Sequence, residues 1–307
     1  MPYIIAMNIG KFPSVYQERL HVLFENLPSN QGFDGETAPG GAVSISDIHY
    51  RKNSAKADDI LERNDPKAFS EFFLQAAEKN GLCALLDDTR IDTFFRLTEH
   101  MLTVNEQFNL TAIREPIRVI LLHYIDSLLG ARFFPEGANV IDVGCGAGFP
   151  SLPLAIVRPD LRITALDSTA KRVNYVKETA QMLGLTNLDT LVARAEDAAR
   201  DPHLRERFDC ATARAVAALP VLSELCLPFV RVGGRFVAMK GKSGREELDA
   251  AKNAIFLLGG KTEAFEDTPI LAPDGETFAH TTVLIQKTAP TAAKYPRAYG
   301  KIVKAPL

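Results

Sequence analysis

The chain has 307 residues, of which 46% are hydrophobic and 24% are charged, and its formal net charge is −3. These values are typical of a soluble globular protein with one or two domains, and they exclude collagen-like, disordered and uniformly basic nucleic-acid-binding chains. The longest apolar runs, such as Val119–Leu122 and Ile255–Leu258, are far shorter than the ~20 residues that a bilayer-spanning helix needs. We therefore expect no membrane partner.

The N-terminus and the cysteines indicate the compartment. The opening "MPYIIAMNIGKFP" has a brief apolar patch with no positive region ahead of it, so we expect no signal peptide. The cysteines are far apart and form no C-x-x-C pair: Cys83, Cys145, Cys210 and Cys226. This spacing predicts neither a disulfide framework nor a metal site, and the expected location is the reducing cytoplasm.

Residues 1–130 are expected to precede the main sheet. Residues 1–64 contain "SNQGFDGETAPGGAVSIS", which predicts a largely flexible extension with one short helix around Val15–Asn26. Residues 65–130 are predicted to be a helical segment. Asp65 and Pro66 suit the cap and first position of a helix, and two further helical patterns follow, the second ending near Gly130.

Residues 131–288 alternate between strand and helix patterns. After a first strand at Val140–Val143, four more are predicted, in "LRITALD", "LDTLVA", "FDCATA" and "GRFVAMKG". Strands separated by single helices imply right-handed crossovers and a mostly parallel sheet. Only a loop around Pro273–Gly275 separates the last two strand patterns, "KTEAFEDTPI" and "HTTVLIQK", so one of them should run antiparallel. The predicted fold class is α/β.

The first strand ends in the glycine-rich bend Gly144–Gly148, within "VIDVGCGAGFP". Because glycine tolerates positive φ and close backbone approach, such a bend favours a ligand seated on exposed amides. A dinucleotide fingerprint would have glycine where this chain has Phe149. Asp167 ends the second strand about 20 residues further on, where a carboxylate can accept hydrogen bonds from a ribose. A purely structural turn, and a helix cap at Asp167, are the alternatives.

Together these features resemble the class I S-adenosylmethionine-dependent methyltransferases, which implies a Rossmann-like, seven-stranded, mostly parallel sheet with helices on both faces. From about residue 65 to 307 the chain also contains, in order, the motifs "NLTAIR", "HYIDS", "IDVGCGAGFPSLPLAIVRPD", "LDSTAKRVNYV", "RAED", "ARAVAAL", "MKG" and "KYPRAYGKIVKAPL". With these motifs it more closely resembles the ribosomal RNA small-subunit methyltransferase G family, also called glucose-inhibited division protein B. The family implies S-adenosylmethionine as cofactor and 16S rRNA of the small ribosomal subunit as substrate, methylated at N7 of one base, the 527 guanine. We expect a monomer.

The resemblance also implies the residues of a cofactor site. Asp142 is expected near the methionine end of the cofactor, Asp167 at the ribose, and Ala195 and Glu196 at the adenine. The other residues expected to bind it are Gly144, Gly146, Gly148, Phe149 and Arg214. Glu196 equally suits a helix cap, and Cys145 is expected to fill space rather than act as a nucleophile.

Three side chains are candidates for the reaction itself: Arg214, Lys240 and His123. Arg214 follows a buried strand at the carboxyl edge of the sheet, where parallel sheets bind ligands, with a structural ion pair as the alternative. Lys240 is a candidate for contact with a substrate phosphate, or a solvated strand end. His123 and Asp126 share a helical face as an orienting pair, unless His123 is simply a packed histidine. Asn109 is expected to fix a turn, near the mouth of the active site.

Residues 289–307 are predicted to form a basic tail. From Thr277 to Leu307 the chain has no Asp or Glu, and it contains the cations and tyrosines Lys287, Lys294, Tyr295, Arg297, Tyr299, Lys301 and Lys304. Cations neutralise phosphates and aromatic rings stack on unpaired bases, so the tail suits RNA. A solubilising end is the alternative.

The sequence lacks the motifs of other base methylations. No Asn/Asp-Pro-Pro-Tyr/Phe segment follows the fourth strand, and no Pro-Cys pair is present. Guanine N7 has a free lone pair and needs no general base, so Arg214 is expected to position the base or a phosphate. The rival hypotheses are a methyltransferase for another RNA, a small molecule or a protein, a nicotinamide oxidoreductase, and a non-catalytic RNA-binding module.

Overall fold

The computed structural model describes residues 65–307, and the extension 1–64, with its predicted short helix, lies outside the described residues. The α-helices are α1 (Pro66–Lys79), α2 (Asp88–Gln107), α3 (Pro116–Val119), α4 (Asp126–Leu129), α5 (Ser151–Val157), α6 (Ala170–Leu183), α7 (Ala195–Ala198), α8 (Leu219–Cys226), α9 (Gly244–Leu257) and α10 (Tyr299–Lys304). The strands are β1 (Asn139–Val143), β2 (Arg162–Asp167), β3 (Leu188–Val192), β4 (Phe208–Arg214), β5 (Val230–Lys240), β6 (Gly260–Asp267), β7 (Ile270–Leu271), β8 (Thr277–Phe278) and β9 (Thr281–Lys287).

The first two helices begin at acidic caps and pack through aromatic rings. The carboxylates of Asp65 and Asp87 each accept a hydrogen bond from a backbone N–H in the first turn, at 2.9 and 2.8 Å. On the buried faces, the ring of Phe94 lies 5.0 Å from that of Phe73 and 4.7 Å from that of Tyr124. Aromatic packing of this kind holds the helical segment together as a layer against the sheet.

The third predicted helix is interrupted. A π-helical segment, Ile120–Ile125, separates α3 from α4. A π-turn contains more residues than an α-turn, so the α-helical spacing assumed from the sequence does not hold across this segment. Such turns are frequent at functional sites, and this one contains His123.

The sheet has seven strands in the order β3-β2-β1-β4-β5-β9-β6. Strands β1 to β5 pair in parallel, whereas β9 is antiparallel to both β5 and β6. The predicted Rossmann-like α/β class, with a seven-stranded, mostly parallel sheet and one antiparallel strand near its end, is confirmed. The final strand of the sequence therefore lies between two earlier ones.

The segment predicted as one strand, "KTEAFEDTPI", is divided. Its first part is β6, and Ile270–Leu271 forms β7, which pairs with β8 in a separate two-stranded hairpin. Pro269 lies at the break, and a proline has no N–H with which to continue the ladder. The sheet edge therefore ends at Asp267.

Helices cover both faces of the sheet, as predicted. Val140 packs in a core shared with α1, α2, α5 and α6, whereas its neighbour Ile141 packs in a second core with α8 and α9. The two neighbours lie in different cores because successive side chains of a strand point to opposite faces of the sheet. Because β1 lies between β2 and β4, the crossovers leave it in opposite directions, which opens a crevice at the carboxyl ends of these strands. Within residues 65–307, no helix combines the length and the apolar character that crossing a bilayer requires.

Candidate functional site

A cavity of about 410 Å³ lies at the carboxyl ends of β1 to β4. Most of the residues predicted for the site line it: His123, Gly144, Gly146, Phe149, Asp167, Ala195, Glu196 and Arg214. Three other predicted residues, Asp142, Gly148 and Lys240, are not among the lining residues. The lining also contains Thr111 and Tyr299, which the sequence analysis did not assign to the cofactor site.

The glycine-rich bend uses its amides internally. The N–H groups of Gly144 and Cys145 donate to the carbonyl of Leu166, at 2.7 and 3.0 Å, and that of Gly148 donates to the carbonyl of Cys145. The N–H of Gly146 donates to the carboxylate of Asp167, at 3.1 Å. The expectation that the bend exposes its amides to a ligand is therefore wrong for these four groups, because the tight turn directs them toward β2 and back into itself.

What the bend provides is space. Gly144 and Gly146 have φ of 79° and 56°, in the left-handed region that favours glycine. An added Cβ at Gly144 would lie 2.7 Å from the side chain of Val216, whereas at Gly146 it would meet nothing closer than a backbone oxygen at 3.9 Å. Cys145 is buried and its pKa is raised by burial, which fits the predicted space-filling role. The two glycines thus leave open space where any other residue would place a side chain, while Cys145 and Ala147 line the cavity beside them.

Two carboxylates stand at the ends of neighbouring strands. Asp167 lines the cavity and accepts one hydrogen bond at each oxygen, from the N–H groups of Gly146 and Thr169. Thr169 is itself the N-cap residue of α6, so the turn that Asp167 holds comes just before the helix, and the predicted alternative of a cap at Asp167 is wrong. Each carboxylate oxygen of Asp167 retains a second lone pair. Glu196, in the first turn of α7, is only 6% exposed, and its carboxylate makes no hydrogen bond within residues 65–307. Both groups can accept hydrogen bonds from a ligand.

Asp142 lies beneath the bend and is fully buried. The hydroxyl of Ser151 donates to its Oδ2, while Oδ1 has no partner among the residues that the structure describes. Burial raises the pKa of this carboxyl to about 6, although the hydrogen bond from Ser151 opposes the rise. An unpaired buried acceptor costs free energy, so Oδ1 is a natural position for a donor from a ligand or a water.

Arg214 ends β4 at the edge of the cavity. Its Nη1 donates to the carbonyl of Leu122 at 2.7 Å and to Oδ2 of Asp126 at 2.6 Å. Its Nη2 lies 3.1 Å from Nδ1 of His123, and its guanidinium carbon lies 5.3 Å from the centre of the Phe149 ring. The structural ion pair, one of the two alternatives for Arg214, is present. Contact with a ligand stays a prediction, and the cavity lining places the residue where such contact can occur.

The carboxylate of Asp126 also holds a histidine that the sequence analysis missed. Its Oδ1 lies 2.8 Å from Nδ1 of His280, whose Nε2 lies 3.2 Å from the hydroxyl of Thr282. Burial opposes ionisation of Asp126, but hydrogen bonds and charge from His280 and Arg214 outweigh it and hold its pKa below the ordinary value. The helical segment, β4 and the start of β9 are thus joined at one carboxylate.

The protonation of His123 follows from its neighbours. Nδ1 of His123 lies 3.1 Å from Nη2 of Arg214 and 3.2 Å from the carbonyl of Leu122, which already accepts from Arg214 at 2.7 Å. A guanidinium only donates, so we assign Nδ1 as the acceptor from Arg214 and the ring proton to Nε2, 3.0 Å from the hydroxyl of Thr111. Burial, and then the charge of Arg214, lower the pKa of His123 to about 3. The ring also stacks on Phe149, with centres 4.3 Å apart. His123 is therefore neutral at pH 7, and it is joined to Asp126 through Arg214 rather than directly.

The turn before α3 is held by a residue other than the one predicted. Asn105, not Asn109, fixes it: Oδ1 of Asn105 accepts from the N–H groups of Leu110 and Thr111, at 2.7 and 3.1 Å, and its Nδ2 donates to the carbonyl of Thr111. Asn109 is exposed and makes no hydrogen bond within residues 65–307. The side chain of Asn105 is buried at the end of α2, where it can reach forward to these groups.

Lys240 is an internal ion-pair partner. Its ammonium lies 2.7 Å from Oε2 of Glu247 and donates to the carbonyl of Ala217 at 2.8 Å. Its side chain is 8% exposed, so it is not the solvated strand end that was one alternative. The same Glu247 carboxylate accepts from the N–H of Leu219, which ties the segment after Arg214 to α9.

Much of the basic tail is structural. Lys287 is fully buried, and its ammonium donates to the carboxylate of Glu206 at 2.9 Å, to the hydroxyl of Thr291 at 2.8 Å and to two backbone carbonyls. Burial lowers its pKa. Arg297 forms a two-point ion pair with the buried Glu224, with its shortest contact at 2.6 Å.

Other parts of the tail pack into the second core. Tyr295 and Ile302 are buried there. The expectation that the tail as a whole contacts RNA is therefore wrong for Lys287, Tyr295 and Arg297, because their side chains are engaged inside the protein. The members of the predicted set that stay exposed are Lys294, Tyr299, Lys301 and Lys304.

Comparison with known proteins decides the family. A family model described as rRNA small subunit methyltransferase G, GidB, matches residues 90–269. The chain is 46% identical over 205 residues to the ribosomal RNA small subunit methyltransferase G of Clostridium perfringens strain 13, an alignment that covers 66% of this chain and 84% of that protein. The chain belongs to the GidB family. A GidB relative from Lactobacillus delbrueckii subsp. bulgaricus is 42% identical over 242 residues, which cover 77% of this chain and 99% of the relative.

Among solved structures, that of M. jannaschii TYW2 in complex with AdoMet matches 53% of this chain and 74% of its own, with a TM-score of 0.41 and 18% identity. The predicted family, and with it the predicted rRNA methyltransferase class of enzyme, are confirmed by the GidB match and its relatives.

Within residues 65–307, no group of three or more His, Cys, Asp or Glu side chains is placed to hold a metal ion.

Proposed function

We propose that this GidB protein transfers the methyl group of S-adenosylmethionine to N7 of one base, the 527 guanine, in 16S rRNA of the small ribosomal subunit, acting as a monomer in the cytoplasm. The observation that carries the proposal is one cavity, in a chain of this family, lined by the glycine bend, by Asp167 and Glu196, and by Arg214. The cavity is also within the size range of ligand pockets, roughly 300–1,000 Å³.

The lining fits the chemistry of the cofactor. The free lone pairs of Asp167 suit the two hydroxyls of a ribose, and the unpartnered carboxylate of Glu196 suits a further donor. Oδ1 of Asp142 is a buried acceptor without a partner within residues 65–307, and it suits an ammonium reached directly or through a water. Gly146 leaves open a space that any side chain would reduce. These four residues are therefore our candidates for holding the cofactor.

When bound, S-adenosylmethionine supplies a methyl group on a sulfonium that is also a very good leaving group. Guanine N7 carries a free lone pair and no proton, so the protein has to align the base rather than deprotonate it. Arg214 has donors suited to guanine O6 or to a phosphate, and Asp126 holds its guanidinium in position.

The charges of the site suit a base that becomes positively charged when it is methylated. The pKa of His123 is about 3, so this ring adds no cation beside the base. The charge of Arg214 is balanced by Asp126. The carboxylates of Asp142, Asp167 and Glu196 place negative charge on the cofactor side of the cavity, which favours binding of the positively charged sulfonium. As the methyl group passes from sulfur to N7, this positive charge passes to the base and leaves a neutral thioether.

The test is methylation of unmodified substrate. The full chain is incubated with methyl-labelled S-adenosylmethionine and either small ribosomal subunits or 16S rRNA from cells that lack this modification. We expect 7-methylguanosine at the 527 guanine and at no other base. Arg214→Lys is a matched variant that keeps the charge but loses the fork-shaped donor set, and we expect it to bind S-adenosylhomocysteine while turnover falls. Label in a different base, or none in either substrate, would refute the proposal.

A further inference from the structure

One aromatic residue of the C-terminal tail reaches the cavity. Tyr299 is the first residue of α10, and it lines the cavity together with Arg194 and Ala195 from the end of β3. The residue is 43% exposed. The guanidinium of Arg194, which precedes α7, lies 5.7 Å from the centre of the Tyr299 ring. A flat aromatic ring with a planar cation over its face therefore lies at this end of the cavity.

The position of Tyr299 is held from both sides. Two residues before it, Arg297 forms its two-point ion pair with the buried Glu224, and its backbone N–H donates to the same carboxylate at 2.7 Å. Three residues after it, Ile302 is fully buried in the second core. Anchors so close on either side leave the backbone of Tyr299 little freedom, so its ring belongs to the wall of the cavity.

The order of the strands tells which part of a cofactor meets this wall. The sheet runs β3-β2-β1-β4, with Tyr299 and Arg194 at the β3 end, Asp167 at the tip of β2 and Arg214 at the tip of β4. If Asp167 binds the ribose, and the methyl group points toward the substrate beside Arg214, the nucleobase must extend to the opposite side of Asp167. That side is the β3 end of the cavity.

We propose that Tyr299, with Arg194 beside it, forms the wall against which the adenine of the cofactor packs, so that the tail completes the cofactor site. This inference rests on the proposed function. Aromatic rings and guanidinium planes stack well on purines, and stacking on one ring contributes enough to change affinity by roughly tenfold.

The first experiment measures binding by calorimetry on the full chain. The probes are S-adenosylhomocysteine and 5′-methylthioadenosine, which share the adenosine. We expect Tyr299→Ala to bind both probes roughly tenfold more weakly. Tyr299→Phe, which keeps the ring, and Val303→Ala, a change at a half-exposed position of the same helix, should bind as the parent does. Parent-like affinity of Tyr299→Ala for both probes overturns the inference. The inference is also overturned if Tyr299→Ala changes only the Michaelis constant for RNA, because the ring would then contact the RNA substrate and not the cofactor.

A second variant covers the case in which Tyr299→Ala folds poorly. The chain has no tryptophan, so Tyr299→Trp introduces a single indole into the proposed wall. We expect both adenosine probes to quench its fluorescence, and methionine to leave it unchanged. Phe256→Trp, at a position that is 77% exposed on α9, is the control and should respond to none of them. If the adenosine probes bind to Tyr299→Trp and its fluorescence does not change, the inference is refuted. Failure of the parent chain to bind either probe refutes the proposed function itself.

Discussion

Arg214 donates to Oδ2 of Asp126 across 2.6 Å, and this ion pair joins the end of β4 to the first residue of α4. Because the other oxygen of Asp126 binds His280, the guanidinium at the cavity depends on three distant parts of the chain. The position of Arg214 is therefore a property of the tertiary fold, and changes behind it should affect the reaction without touching substrate or cofactor.

Asp126→Asn tests this dependence. The change removes the charge that balances Arg214 in a pair whose side chains are only 15% and 17% exposed. We expect the free energy of unfolding to fall by about 3 kcal/mol, as for other buried pairs that lose one partner. We also expect turnover on rRNA to fall more than affinity for S-adenosylhomocysteine. Urea unfolding, calorimetry and single-turnover methylation measure the three quantities. Asp249→Asn, in an exposed pair with Lys252, is the control and should change none of them.

His123→Asn tests the neutral histidine. The pKa of His123 is lowered from 6.5 to about 3, so between these values the unfolded chain binds a proton that the folded chain does not. The contribution of neutral His123 to the free energy of unfolding is therefore complete above pH 6.5. It is lost as pH falls toward 3, by up to about 1.4 kcal/mol per pH unit. Urea unfolding at pH 7, 6, 5 and 4 should show the parent losing its stability advantage over the variant as pH falls. An advantage that does not change with pH would contradict this assignment.

Asp142→Asn should show the opposite dependence on pH. Burial raises the pKa of Asp142 from 3.8 to about 6, so the contribution of this group is complete below pH 3.8 and is lost as pH rises through 6. We expect the variant to be more stable than the parent at pH 7.5, on the order of 2 kcal/mol, and to lose that advantage near pH 3.5. It should also bind S-adenosylhomocysteine more weakly. A variant that binds as the parent does would remove Asp142 from the cofactor site.

Gly146→Ala tests whether cofactor binding needs the open space at Gly146, apart from the positive φ of its backbone. Gly146 and Gly81 both have positive φ, and an added Cβ at either one meets nothing closer than 3.9 Å. Both alanine variants should therefore lose a similar stability, about 1 kcal/mol, from backbone strain. Only Gly146→Ala should weaken the binding of S-adenosylhomocysteine, which calorimetry would measure. Gly144→Val, which we expect to abolish binding, is a poorer probe because its Cβ would also press on Val216.

The exposed lysines of the tail are expected to contact RNA. Replacing Lys294, Lys301 and Lys304 together with Gln should weaken binding to 16S rRNA. It should also make the dependence of affinity on salt less steep, by roughly 0.7 to 0.9 in log–log slope for each phosphate that is no longer neutralised. Arg297→Ala is the contrasting change, because it should lower thermal stability and leave the salt slope as it is. Filter binding over a range of salt concentrations measures the slope, and an unchanged slope for the triple variant would mean that these lysines do not contact phosphate.

Sequence patterns predicted those features that depend on residues close together in the chain. Arg214 could be placed at the carboxyl edge because it follows an apolar strand in a βαβ pattern. The loop between the last two strand patterns predicted that one of them runs antiparallel, and the structure shows that this strand is β9. Asp167 could be placed at a strand end for the same reason as Arg214, and it lines the cavity, whereas the N-cap position that was its alternative role belongs to Thr169.

Features that depend on distant partners could not be predicted. Lys287 counted as part of a basic tail, but its partner Glu206 is remote in sequence and makes it an internal residue. His280 had no neighbouring motif to mark it, since its role comes from Asp126 across the sheet. The bend was expected to expose its amides because a glycine pattern shows where the backbone turns, and not which carbonyls the N–H groups will reach.

The position of β9 between β5 and β6 has a consequence for biosynthesis. A ribosome synthesises β9 after both β5 and β6, so these two strands cannot complete their pairing until β9, which separates them in the sheet, has been made. Residues that finish the second core, Tyr295 and Ile302, follow β9 in the chain. The nascent chain therefore assembles this half of its sheet only after β9 has left the ribosome, and an enzyme truncated before β9 would leave two unpaired edges exposed to aggregation.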